Sequence, residues 1–464
     1  MVTGNANGQF DRPGRRVWKA PQPLQFPFLL TAGDVDGDGH LDIWLAQYKA
    51  PYFDGNMPTP YYDANDGEPS FLLLNDGLGN FVDTTENAGL APKRYRRTYS
   101  ASFIDLDDDG DLDLTVVSDF AGVDLYYNDG HGHFTDLTNT KLSESHLFGM
   151  SHCFGDFNKD GKLDLLAIGM NSYVAQRLDN LKLKLDRFPG YGAMRSKMGY
   201  GNRMYLSKND TFVQSLLNDQ VARTGWSWGA TAFDLDNDGD EDIYVANGHK
   251  SRQTVKDYEP QFWCHDIYVA NSKPDVVKKL YFQSVGNKHY GRGESYGGYY
   301  KNKLFLNENG KSFLEVGYLM GVALEQDSRN VVSDDLDADG RVDLVVTTWN
   351  NSPQPHDPTL VVFRNRCENG NNWIGLHLHE NGPGTSPLGA KVTLTFAEGK
   401  QIRHLVTGDS HRSQHATTVH FGLGKATNVR SVEIRWPNGK TEQITNPTIN
   451  RYHEVGKRYT RGSK

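Results

Sequence analysis

The chain has 464 residues, 37% of them hydrophobic and 11% aromatic, with 48 glycines and a formal charge of −9. These values describe a folded, turn-rich protein long enough for one large repeat array or for two to three ordinary domains. The acidity excludes the basic footprint of a nucleic-acid binder, and no apolar run of about 18 residues is present to span a membrane.

In chain order, the opening "MVTGNANGQF" has neither a basic n-region nor an apolar h-region, so no signal peptide is expected in this chain. Its "NGQF" looks like the tail of a β-hairpin that could close a ring by completing the final blade. The first acidic loop follows, "DVDGDGHLD" from Asp34, and runs into the strand-like "LDIWLA". The loop returns as "DLDDDGDLD" from Asp105, "DFNKDGKLD" from Asp156, "DLDNDGDED" from Asp234 and "DLDADGRVD" from Asp335. Between loops stands a second phrase, "NDGLGNF" at Asn75, "NDGHGHF" at Asn128 and "NENGKSF" at Asn307, each after an apolar run, with a shorter version ending at Phe212. That is a strand, an Asn/Gly turn and a second strand. One unit is therefore an inner strand, an acidic loop, a second strand and a hairpin.

Successive loops begin 71, 51, 78 and 101 residues apart. The shortest interval is a bare four-stranded blade, and the repeat predicts an all-β propeller of five clear blades. The longer intervals carry insertions at 46–70, 168–203 and 248–302. The last is long enough to hide a blade without a metal loop, which leaves room for six or seven. After Cys367 the acidic loops stop, and alternating runs such as "AKVTLTF" and "RSVEIRW" predict a small β-sandwich. The expected division is 1–366 for the propeller and 367–464 for the sandwich. Cys153, Cys264 and Cys367 form no CxxC, and their spacing determines no disulfide.

The acidic loops pose a chemical problem, because their carboxylates repel one another. A hard cation solves it. Side-chain oxygens at positions 1, 3, 5 and 9 plus a backbone carbonyl at position 7 describe a calcium cage, with glycine at 6 for the bend. The expected ligand sets are Asp34, Asp36, Asp38, His40 and Asp42; Asp105, Asp107, Asp109, Asp111 and Asp113; Asp156, Asn158, Asp160, Lys162 and Asp164; Asp234, Asp236, Asp238, Asp240 and Asp242; Asp335, Asp337, Asp339, Arg341 and Asp343. Position 7 holds unrelated side chains, which points to its backbone carbonyl. An EF-hand is excluded, since position 12 is apolar in every loop (Leu45, Val116, Ala167, Val245, Val346) where a bidentate Glu is required. About five structural Ca²⁺ ions would bring the formal charge of −9 close to neutral.

The loops "DxDxDGxxD" before a strand resemble FG-GAP/VCBS repeats, the calcium-bearing blades also found in integrin α-subunit propellers. The run from Gly408, with Ser413, Gln414, "HFGLG" at His420 to Gly424 and "RWPNGK" at Arg435 to Lys440, resembles the ASPIC/UnbV domain of the cartilage acidic protein-like family. The resemblance implies a secreted, periplasmic or cell-surface calcium-binding protein and implies no particular reaction.

The function read from these features is a binding or adhesion module in which calcium is structural. Its partner would be a carbohydrate, protein or small-molecule ligand on the propeller face. The alternative is a calcium-stabilised propeller enzyme acting on a polysaccharide or natural product at the channel mouth. No GxSxG elbow, P-loop or HExxH is present, so no catalytic residue is assigned. Residues expected near the channel or on the long insertion are Arg96, Tyr99, His146, His152, Trp226, Trp228, Arg329, Trp263 and His265. Ser410, His411, Ser413 and Gln414 read as a structural turn.

Overall fold

The computed structural model describes residues 9–10, 13–262, 271–349, 358–380, 386–397 and 399–456. Strands dominate it. Each acidic loop joins the first two strands of an antiparallel sheet, because the aspartate and glycine run cannot continue a ladder and the β-branched run after it can. Sheet one comprises Pro27–Gly33, Asp42–Gln47, Phe71–Asn75 and Phe81–Asp83; sheet two Arg97–Ile104, Asp113–Asp119, Gly122–Asn128 and Phe134–Asp136. Sheet three comprises Gly149–Gly155, Asp164–Gly169, Arg203–Lys208 and Thr211–Gln214; sheet four Ser227–Phe233, Asp242–Asn247, Lys303–Asn307 and Phe313–Glu315. Sheet five has three strands, Asp327–Asp334, Asp343–Trp349 and Pro358–Phe363.

The first strand of each sheet packs against the first strand of the next. Apolar residues from facing sheets fill the interfaces: Trp44, Ala46 and Leu72 meet Phe103, Leu114 and Val116 between sheets one and two, and Tyr244, Ala246 and Leu304 meet Val331, Leu344 and Val346 between sheets four and five. Alternation along each second strand sends one set of side chains to either neighbour, which is why these strands read as continuous apolar runs.

The three insertions pack on one another at the strand ends away from the acidic loops. Met57 N donates to Asn271 O at 3.1 Å and Asp275 N to Asp54 O at 2.8 Å, tying the first insertion to the third. The Tyr61 hydroxyl donates to Tyr191 O in the second, and Ser172 Oγ donates to Glu259 at 2.6 Å. The reading of 248–302 as a hidden blade is corrected: its described residues hold the helix Val276–Gly291 and the parallel pair Thr254–Asp257 with Glu294–Ser295, and no four-stranded sheet. The expectation for "NGQF" falls partly outside the described residues, of which Gln9 and Phe10 are exposed, while residues 17–24 lie over sheet one, with Val17, Trp18 and Leu24 against its core.

Beyond Cys367, a sheet of Asn372–Leu378, Thr418–Gly424 and Tyr452–Val455 faces a second of Lys391–Phe396, Gly399–His404, Val429–Arg435 and Thr441–Thr445. Between them lies a separate core that includes Leu376, Val392, Phe421, Ile434 and Trp436.

Candidate functional site

Each acidic loop is folded by its own side chains. The first aspartate accepts a hydrogen bond at Oδ2 from the glycine at position 6, with N to O distances of 2.9, 3.1, 2.8, 2.8 and 2.7 Å from loop one to loop five. Those glycines have φ between 80° and 106°, a region closed to most side chains. The ninth aspartate ties the loop to the sheet. Asp42 accepts from Val35 N at 3.0 Å and Asn75 N at 2.8 Å, and Asp113, Asp164, Asp242 and Asp343 repeat the pattern.

With the backbone so held, carboxylates converge. Ligand oxygens lie within 4.8 Å of one another in Asp34, Asp36 and Asp42; in Asp105, Asp107 and Asp113; in Asp234, Asp236 and Asp238; and in Asp335, Asp337 and Asp339. The Asp156 loop forms no such trio among the described residues. Burial, aided by neighbouring carboxylates, pushes Asp42 and Asp234 up to about 7 and Asp113 to about 8. Asp111 rises to about 7 for the same reasons. Asp34 Oδ1 and Asp111 Oδ1 are buried with no hydrogen-bond partner. Orphaned acceptors among repelling, buried carboxylates fit a hard divalent cation, which supplies the missing positive charge. The position-7 side chains are not idle: Arg341 folds back on Asp339, and Asp240 Oδ2 accepts from Asn309 N at 2.8 Å.

The C-terminal unit rests on these loops. Arg435 bonds Asp105, and Asp108 at 2.7 Å; Lys391 pairs with Asp108 at 2.8 Å. Tyr452 donates to Asp335 Oδ2 at 2.8 Å, and Gly424 N donates to Asn237 O at 2.8 Å. A cleft of about 1130 Å³ remains between loops two to four and the unit's second sheet, with Lys391, Lys400, Arg403 and Arg435 on one wall.

From this unit, residues 407–412 run into the middle of the five sheets and touch every inner strand. Thr31 Oγ1 donates to Thr407 O at 2.7 Å, and Ser100 Oγ to Gly408 O at 2.7 Å. Ser410 N donates to His152 O at 2.7 Å, and Ser410 Oγ to Val331 O at 3.1 Å. Gly229, in the inner strand of sheet four, has no room for a Cβ, which would stand 3.0 Å from Ser410 Oγ. His411 is buried against Phe28, Tyr99 and Trp228, with ring centroids 5.8, 5.6 and 5.0 Å away.

The residues expected to line a channel therefore line a filled centre. Tyr99 is buried and stacked on Tyr48 at 4.3 Å. His152 is fully buried, 2.9 Å from both Ser100 Oγ and Ser102 Oγ, and desolvation lowers its pKa to about 3. Trp226 stacks on His249 at 4.2 Å, and Trp228 lies beneath Arg329 at 4.3 Å with its Nε1 donating to Gly248 O at 2.9 Å. Burial lowers Arg329 to about 10, while its guanidinium donates to Gly248 O and to His249 O. Two expectations are corrected. Arg96 is buried between Asp63 at 2.6 Å and Asp124 at 3.0 Å, so its charge is already satisfied. His146 precedes its inner strand and pairs with Glu144 at 2.6 Å. Trp263 and His265 lie outside the described residues. Phe28, Tyr48 and His249, which complete the aromatic cluster, carried no sequence signal, since each stands in an ordinary strand end or turn.

Residues 105–167 match the FG-GAP-like repeat family, and residues 380–461 match the family described as ASPIC and UnbV. The chain is similar to cartilage acidic protein 1 of Mus musculus, 25% identical over 88% of this chain and 51% of the relative, and to that of Homo sapiens, 24% identical over 88% and 50%. It thus spans about half the length of these relatives. Among solved structures it is similar to the V. cholerae biofilm matrix protein Bap1, with 12% identity, 91% of this chain and 59% of that chain covered, and a TM-score of 0.31, too loose to assign a fold. No helix among the described residues is long and apolar enough to cross a membrane.

Proposed function

We propose that the chain is a secreted or surface-exposed calcium-binding β-propeller that serves as a binding or adhesion module, with calcium structural. The observation that carries this reading is the repeated convergence of carboxylates in four of the five loops, with a buried, orphaned oxygen on Asp34. The cation would be held by the aspartates at positions 1, 3, 5 and 9 and would supply charge neutralisation. Because Asp105 and Asp335 also anchor the C-terminal unit, ordering the loops orders the seat on which residues 1–366 and 367–464 meet.

The recognition face belongs to the three packed insertions, where Tyr173, Tyr281, Tyr290 and Tyr299 are exposed. Rings with polar tips suit sugars, flat organic ligands or protein surfaces. An enzyme at the channel mouth is less well supported, because residues 407–412 fill the centre it would use.

Thermal melting with and without EGTA tests the proposal. At Ca²⁺ near ~2 mM and a Kd near ~0.1 mM, each occupied site adds about 1.8 kcal/mol by linkage. Several sites would produce a large fall in Tm on chelation. An unchanged melting curve would sink the cation reading.

A further inference from the structure

Three separate stretches of chain bring cations together at the insertion end of the filled centre. Lys250 and Arg252 open the third insertion, just past the strand Asp242–Asn247. Arg329 is the third residue of the inner strand Asp327–Asp334, and Arg412 ends the threaded segment. The Arg329 guanidinium donates to His249 O at 2.7 Å, which sets it beside the residue before Lys250. The charges of Arg329 and Arg412 both act on His411.

None of the four cations forms an ion pair among the described residues. Three lie on aromatic faces instead: Arg252 stands 4.2 Å from the Tyr290 centroid, Arg329 4.3 Å from that of Trp228 and Arg412 4.4 Å from that of Phe28. A ring face attracts a guanidinium without cancelling its charge, and it leaves the N–H donors at the rim to other partners. Arg252 Nη1 and Trp226 Nε1 are buried with no hydrogen-bond partner, and an unmet buried donor is costly. Trp226 stacks on His249, so its ring adjoins the same cluster.

Lys250 is exposed, yet burial and then the charges of Arg252 and Arg329 hold its pKa below the usual lysine value. A side chain that water reaches and protein still surrounds lies in a hollow. Burial, and then the charges of Arg329, Lys250 and Arg252, hold His249 well below the usual histidine value. Asp327, whose charge does reach Arg329, is held by Ser251 N and Ser251 Oγ at 2.7 and 2.6 Å. Charge of one sign gathered in a hollow, with unmet N–H donors, suits an oxyanion. The segments 168–203 and 248–302 together hold 16 lysines and arginines against seven aspartates and glutamates, in a chain of net charge −9. This end of the molecule therefore attracts anions from solution.

The rim indicates what carries the charge. Tyr290 lies under Arg252, and the Tyr299 hydroxyl donates to Arg252 O; the two rings are 60% and 41% exposed. Exposed rings with polar tips beside a charged group suit a sugar. We propose that Lys250, Arg252 and Arg329 bind the acidic group, carboxylate or sulfate, of a carbohydrate at the insertion end of the filled centre. The inference rests on the reading of the insertions as the recognition face, and is independent of whether the acidic loops hold calcium.

Isothermal titration calorimetry on the full chain in saturating calcium tests it, with D-glucuronate and D-glucose 6-sulfate as probes and D-glucose as the neutral control. At least one acid is expected to bind about tenfold or more tighter than glucose, and the tighter of the two names the group. Lys250→Gln with Arg252→Gln should remove most of that difference. Lys250→Gln alone changes an exposed side chain that makes no hydrogen bond among the described residues, and should weaken the acid in a protein whose melting temperature is unaltered. Arg329 is left intact, because it also holds Gly248 O and His249 O. Failure of both acids to bind, or equal affinity in the parent and the double variant, overturns the proposal. Loss of acid binding in Lys400→Gln would move the site to the cleft beside the C-terminal unit and overturn it too. Glucose bound as tightly as the acids would sink the anion site alone and leave the insertions as the recognition face.

Discussion

His152 offers the most direct probe of the filled centre. It is fully buried, its ring nitrogens lie 2.9 Å from Ser100 Oγ and Ser102 Oγ, and desolvation holds its pKa at about 3. In the unfolded chain it returns to about 6.5. A histidine with a depressed folded pKa takes its proton only on unfolding, so its contribution is complete above about pH 6.5 and is lost progressively as pH falls towards the folded value. At pH 5 the loss is about 2 kcal/mol, and that figure holds for any folded pKa well below 5. His152→Gln keeps a polar side chain between the two serines and removes the titration. Guanidinium denaturation followed by tryptophan fluorescence, in saturating calcium at pH 7.5 and pH 5, should show the parent losing about 2 kcal/mol more than the variant across that interval. Equal losses in the two proteins would mean that His152 is not sealed beneath residues 407–412.

Gly408→Ala should be severely destabilising, by about 3 kcal/mol or more, because its φ is 81° and a Cβ there would stand 2.0 Å from Ala101 O; an unchanged melting temperature would contradict the threaded path. In a calcium titration followed by crystallography, the Asp156 loop should be the last to fill and the first to empty, since Asn158 replaces a carboxylate and no trio converges there. Replacing 248–302 by a short hairpin should raise binding of a hydrophobic dye and lower Tm, because that insertion contacts the other two through Asp275, Phe282 and Glu259; a compact product with unaltered Tm would show that the insertions do not depend on one another.

The sheets and loops were legible because each carries a local signal. Asp at position 1, Gly at 6 and Asp at 9 are needed by bonds that close within nine residues, and the turns at Asn75 and Asn307 are closed as locally by their own side chains. The filled centre was not legible. Thr407 meets Thr31 and Ser410 meets Val331 through hydrogen bonds that leave no periodicity in either segment. For the same reason Arg96 read as a free cation. Its partners Asp63 and Asp124 come from an insertion and from a third strand, and only folding brings them together. Positive φ at Asp108, Lys159, Asn237 and Ala338, position 4 of their loops, was also hidden, because only loop one marks that position with glycine.

Threading residues 407–412 through the centre imposes an order on synthesis. Thr31 leaves the ribosome 376 residues before its partner Thr407, and at 5–20 residues per second that is roughly 20 to 75 seconds. Until then every inner strand already made lacks that common partner, and Ser100 Oγ, His152 O and Val331 O have only water in place of the bonds they later make with residues 408–410. A chain released early by a stop codon or a nick would keep that interior wet and open to proteases. The centre of the molecule is thus completed only once translation has passed residue 412.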